Sequence, residues 1–133
     1  MEEDEFALEI SVTLYGAEFS PRKLLSMSTL VFSYHHEKGD EFRRKTYVGI
    51  YGNGAARLTV SVKSLAERDS QFDRLLDMVV DNYQAIQASG ATDIDILVAV
   101  FRSIQGNWAA TAAHIQKIAS VNGSLAVTYY RKD

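Results

Sequence analysis

The densest concentration of reactive side-chain types in this 133-residue chain is His35-His36-Glu37, followed by Asp40 and Glu41. Imidazoles that titrate near neutrality beside carboxylates are the parts of a proton shuttle or a metal site. Their spacing argues against both. Adjacent side chains of an extended segment point to opposite faces, so His35 and His36 cannot reach one metal, and no His-x-Glu or His-x-x-x-His pair occurs elsewhere. The cluster reads as a solvated turn. The remaining histidine, His114, falls in the last helical stretch and is expected at a surface or boundary position. Gly52-Asn53-Gly54 lacks the following Lys-Ser/Thr of a phosphate loop and reads as a hairpin turn. The chain has no cysteine, which removes thiolate ligands and cysteine nucleophiles. These residues therefore point to no catalytic, cofactor-binding or metal-ligating set, and the expectation is a binding protein rather than an enzyme.

A second pattern is electrostatic. Asp69, Asp73, Asp77 and Asp81 recur every fourth residue and so share one stripe of a helix. Like charges at that spacing destabilise a helix by roughly 0.2–0.5 kcal/mol per neighbouring pair. The macrodipole offsets this only near the helix N-terminus, which leaves Asp77 and Asp81 unexplained. With Glu67, Asp93 and Asp95 there are seven acids against Arg68 and Arg74 over residues 66–95, a local net of −5, whereas residues 42–66 hold five cations and no acid. The chain is thus polarised. The stripe reads either as the solvated back of an amphipathic helix or as a surface complementary to a basic partner, with Asp93 and Asp95 extending it.

Both patterns need elements to position them. Strict alternation through Phe6, Leu8, Ile10, Val12 and Leu14 is the mark of a half-buried strand. Ser20-Pro21 then opens a short helix carrying Leu24 and Leu25. Residues 30–36 return as a strand, and Lys38-Gly39-Asp40 turns the chain. Residues 46–51 and 57–62 form a hairpin around Gly52-Asn53-Gly54, whose residues supply positive φ. Helical spacing of Phe72, Leu75, Val79, Tyr83 and Ile86 predicts one long helix ending at Gly90. A strand at 94–100 follows, then a helix capped by Asn107 that carries Trp108, Ala112, Ile115 and Ala119, then a strand at 125–130. The two βαβ arms, 6–36 and 94–130, read as a weak internal repeat. The expected fold is α+β, a ferredoxin-like βαβ-ββ-α-βαβ sandwich whose helices lie on one face of a mostly antiparallel sheet. On the other face Tyr15, Leu97, Phe101 and some of Phe32, Tyr34, Tyr129 and Tyr130 are left to meet a protein partner or a second copy. Tyr34 and Phe101 are the rings singled out for that contact.

Composition sets the frame. A single domain spanning 1–133 fits the length, and 47% hydrophobic with 23% charged residues is ordinary for a globular chain. The acidic start, Met1-Glu2-Glu3-Asp4-Glu5, is unlike a secretory signal, and no apolar run approaches a bilayer span. With cysteine absent as well, the expected location is the cytoplasm. A net charge of −3 disfavours nucleic acid, whose binders neutralise phosphates with cations, and suits a basic partner.

The order of the alternating first strand, Phe19-Ser20-Pro21, the Glu37-Lys38-Gly39-Asp40 turn, a long helix, the 94–101 strand and the closing 119–129 segment resembles a bacterial family of unknown function over nearly the full length. That family is similar in context to immunity proteins found beside polymorphic or contact-dependent toxins. The resemblance implies a bacterial, cytoplasmic protein that binds and neutralises a cognate toxin domain, with no catalytic residues to carry over. The other reading is a ferredoxin-like regulatory module that binds a small ligand or dimerises through its sheet face.

Overall fold

The first strand, β1 (Ala7–Gly16), runs as its alternation requires, because its side chains are apolar and polar in turn from Leu8 to Tyr15. Leu8, Ile10, Val12 and Leu14 are buried, each worth roughly 1.5–3 kcal/mol of transfer free energy. The computed structural model describes residues 7–102 and 109–130, so Phe6, Asn107 and Trp108 of the expected elements lie outside the described residues. The fold is α+β, with a five-stranded mixed sheet in the order β2-β5-β1-β6-β7 and a separate two-stranded ribbon of β3 and β4.

Helix α1 (Pro21–Met27) begins where the sequence places it. Ser20 Oγ accepts from Lys23 N at 3.2 Å. Glu37 completes this cap, accepting from Ser20 Oγ at 2.9 Å and from Arg22 N at 2.8 Å. The expected strand at 30–36 shortens to β2 (Tyr34–His36), which pairs antiparallel with β5 (Gly54–Val62). β5 in turn pairs antiparallel with β1. β1 and β2 are therefore parallel, with β5 inserted between them.

The expected 46–62 hairpin is replaced by a different pairing. β3 (Glu41–Arg44) pairs with β4 (Tyr47–Ile50) around Lys45-Thr46, and it is Lys45 that takes the positive φ, +54°. None of Gly52, Asn53 and Gly54 has positive φ. They carry the chain from the ribbon into the main sheet, and glycine is needed at 54 for space, since a Cβ there would collide with the Phe19 carbonyl oxygen. The Lys38-Gly39 turn closes the base of the ribbon, with Gly39 at φ +93°, Gly39 N donating to Tyr51 O and Tyr51 N to Asp40 O, both at 2.9 Å.

The long helix is interrupted. α2 (Leu65–Asp81) starts on Ser64, whose Oγ accepts from Glu67 N, and buries Phe72, Leu75, Leu76 and Val79. At Asn82 the backbone leaves helical geometry (φ −108°, ψ 16°), and the Asn82 amide donates to Met78 O at 2.8 Å. The side chain thus shares the Met78 carbonyl with Asn82's own backbone N–H, which donates to it at 3.2 Å. α3 (Tyr83–Ala88) restarts, buries Ile86 and stops before Gly90 at φ +100°.

β6 (Asp93–Arg102) pairs antiparallel with β1, and β7 (Ser124–Tyr129) pairs parallel with β6. Between them α4 (Ala112–Ser120) begins on Thr111 and is capped by Val121, after which Asn122 turns the chain at φ +54°. The two βαβ arms are therefore not equivalent, because β1 and β2 flank β5 while β6 and β7 are direct neighbours. One core joins the even positions of β1 to Phe19, Leu24, the buried face of α2, Ile86, Ile118 and Val121.

Candidate partner-binding surface

The same alternation that fills the core leaves the odd positions of β1, β5 and β6 on the opposite face, with the even positions of β7 beside them through the β6–β7 register. They line a shallow groove of about 440 Å³ whose floor includes Glu9, Ser11, Thr13, Arg57, Asp95 and Ser124. Its polar groups are pre-set. Tyr15 donates its hydroxyl to Asp95 Oδ2 at 2.8 Å and Ser124 Oγ donates to Asp95 Oδ1 at 2.7 Å, so each carboxylate oxygen holds a donor. The bond to Asp95, and then its charge, push the Tyr15 phenol above its ordinary pKa. Arg57 Nε reaches Thr13 Oγ1 at 3.4 Å.

Aromatic rings border this floor. Phe101 is 39% exposed and stacks on Tyr130 with centroids 4.9 Å apart. At the other margin Tyr34, 44% exposed, lies opposite Arg57 and so on the same face. Its hydroxyl sits 2.7 Å from His36 Nδ1 and 2.9 Å from the Tyr51 hydroxyl, and burial is the main cause raising its pKa. His36 stacks on Tyr51 at 3.4 Å, and Phe42 packs on Tyr51 at 4.6 Å, which fastens the β3–β4 ribbon beside the sheet. Gly49 opposes Phe42 and leaves room for its ring. The ribbon exposes Tyr47, Val48 and Ile50, and Arg43 and Arg44 at the end of β3 lead into Lys45 of its turn.

His35 and His36 do diverge, His35 against Phe32 and His36 against Tyr51. Glu37 caps α1, and Asp40 Oδ2 accepts from Glu37 N at 2.8 Å. Among the described residues no three His, Cys, Asp or Glu side chains gather as a metal site.

The eight residues expected at an interface fall into two groups. Tyr34, Phe101, Asp93 and Asp95 share the open sheet face, Asp93 accepting from Thr92 Oγ1 at 2.8 Å. Asp69, Asp73, Asp77 and Asp81 ride on α2, whose apolar stripe packs into the core on the other side of the sheet. Two of these four face α4. His114 Nε2 donates to Asp73 Oδ1 at 2.9 Å, and Lys117 Nζ lies 3.5 Å from Asp73 Oδ1 and 2.8 Å from Asp77 Oδ1. The bond to Asp77 raises the Lys117 pKa. Asp69 pairs with its neighbour Arg68 at 3.0 Å, and Asp81 is exposed. The spacing that looked costly in an isolated helix is thus partly compensated inside the fold.

His114 corrects the expectation of a surface histidine, being only 2% exposed. Its Nδ1 accepts from Thr111 N at 3.0 Å while its own N–H donates to Thr111 Oγ1 at 3.2 Å, a reciprocal cap of α4. Nδ1 as acceptor leaves the proton on Nε2, the atom aimed at Asp73. The Thr-x-x-His spacing and the Lys three residues later were the signals for this arrangement. No protein-family model, curated protein or solved structure matches the chain.

Proposed function

We propose that this chain is an immunity-type protein, a cytoplasmic inhibitor that binds a cognate bacterial toxin domain non-covalently through its open sheet face. The observation that carries this reading is the combination, on one face, of a fixed polar floor with exposed rings at its margins, Tyr34 on one side and Phe101 with Tyr130 on the other. Rings held on regular strands offer contact area at little entropic cost, and hydrogen-bonding groups already in place need no reorganisation. Glu9, Asp93 and Asp95 outnumber Arg57 on that face, which suits a basic partner. The order β2-β5-β1-β6, with helices linking β1 to β2 and β5 to β6, supports a ferredoxin-like unit to which α4 and β7 are appended.

Co-expression with the product of the neighbouring gene tests this. The expected result is rescued growth and a stable complex, weakened at least about tenfold by Phe101→Asp or Tyr34→Asp with the circular dichroism unchanged. Full rescue and unchanged affinity in both folded variants would overturn the assignment of the face. The groove's volume favours a second reading, a module for a small polar ligand, since ligand sites span about 300–1,000 Å³. Its open shape and polar floor fit a protein surface better.

A further inference from the structure

The two edges of the main sheet are built differently. At one, β2 is only three residues long, Ser33 Oγ accepts from Thr59 N at 3.1 Å, and the β3–β4 ribbon stands alongside. At the other lies β7, Ser-Leu-Ala-Val-Thr-Tyr, with no charge, no proline and an unbroken register to β6. Natural sheets blunt a free edge with short strands, charges, prolines or bulges, and β7 uses none of them. Its outward backbone can be named. Tyr130 N donates inward to Val100 O at 2.8 Å, so by the two-residue alternation Ala126 and Thr128 also turn toward β6. Leu125, Val127 and Tyr129 present N–H and C=O outward, and no described residue pairs with them. Val127 is 38% and Tyr129 53% exposed.

We infer that β7 is the seam of a homodimer, pairing antiparallel with β7 of a second copy about a two-fold axis perpendicular to the sheet. The occupant follows from the composition of the strand. A two-fold pairing sets β7 against its own sequence, so any charge near its centre would meet a like charge, and Ser124–Tyr129 contains none. Outward residues oppose outward residues, which places Val127 opposite Val127 of the second copy and Leu125 opposite its Tyr129. Ala126 then meets Thr128 of the second copy on the open face. A six-residue strand spans about 20 Å, so the seam is small and the dimer dissociates in the micromolar range. The axis leaves both open faces on the same side of one continuous sheet.

Sedimentation equilibrium from 1 to about 200 µM, an interval bracketing micromolar affinity, tests this. The wild type is expected to dimerise. Val127→Pro removes only an outward N–H and should raise Kd at least about tenfold. Val127→Lys sets like charges across the axis and should do the same, which keeps the test decisive if the proline variant fails to fold. Amide exchange at Leu125, Val127 and Tyr129 should accelerate on dilution. A wild type that stays monomeric throughout, including one whose β7 pairs only with another protein's strand, overturns the inference. So does a dimer unaffected by Val127→Lys but dissolved by Phe101→Asp, which would put the seam on the open face.

Discussion

Asp73 and Asp81 occupy the same stripe of α2 at equivalent spacing, yet their removal should move stability in opposite directions. In Asp73→Ala the buried His114 Nε2–H loses the carboxylate it donates to, and a stranded buried donor costs about 1–3 kcal/mol. Relief of repulsion with Asp69 and Asp77 returns about 0.2–0.5 kcal/mol for each. The Lys117 contact at 3.5 Å joins two partly exposed groups and adds little. The net is a loss of about 1–2 kcal/mol, or a fall in Tm of about 4–8 °C for a domain of this size. Asp81→Ala removes only repulsion with Asp77 and an anion at the unfavourable C-terminal end of α2. It should raise Tm by one or two degrees, from a gain of a few tenths of a kcal/mol. Thermal unfolding followed by circular dichroism reads both. Equal shifts of the same sign would mean that Asp73 and His114 are not coupled as described, and a double-mutant cycle with His114→Ala showing no interaction energy would say the same.

Three further outcomes are expected. Burial holds the His36 imidazole below its ordinary value of 6.5, so the unfolded chain takes up that proton more readily than the folded one. His36 should therefore contribute its full stability above pH 6.5 and lose it as the pH falls through its depressed value, and a wild type that does not weaken relative to His36→Phe between pH 7 and 5 refutes this. Gly54→Ala should cost about 1–3 kcal/mol through its clash with the Phe19 carbonyl, while Gly52→Ala, with open space around it, should be near neutral in denaturant titrations. Tyr15→Phe should cost up to about 1 kcal/mol in the same titration, because Asp95 is half-buried and keeps its Ser124 donor.

How much of this was legible in the sequence follows from where the determinants lie. β1, the Ser20-Pro21 start and the stop at Gly90 depend on local periodicity and capping, and they read through. The ribbon did not, because Gly52-Asn53-Gly54 carries a stronger hairpin signal than Lys45-Thr46. The crowding at Gly54 that assigns it another role comes from Phe19, distant in sequence. Asn82 hid inside an unbroken apolar period, since Val79, Tyr83 and Ile86 keep helical spacing across the interruption. Of the surface, the alternation of β1 and β6 marks Asp93, Asp95 and Phe101 as one face, and Tyr34 joins them only through a cross-strand partner, Arg57. The link from α2 to α4 is tertiary, so an acidic stripe viewed alone could not disclose the His114 and Lys117 that meet it.

The β3–β4 ribbon divides the molecule into two tiers of persistence. Its fixed point is the ring contact of Tyr51 with His36 and Phe42, while Tyr47, at the far end beside the turn, is 60% exposed. An isolated pair of strands is at best marginally stable in water, so the ribbon opens at a lower free energy than the five-stranded body and without disturbing its core. Arg43 and Arg44 lead into Lys45 of its turn, which makes that turn the preferred site for trypsin under native conditions. A single scission there severs the covalent chain between β3 and β4 and leaves every strand of the main sheet in register, so the nicked protein migrates as one particle until it is denatured.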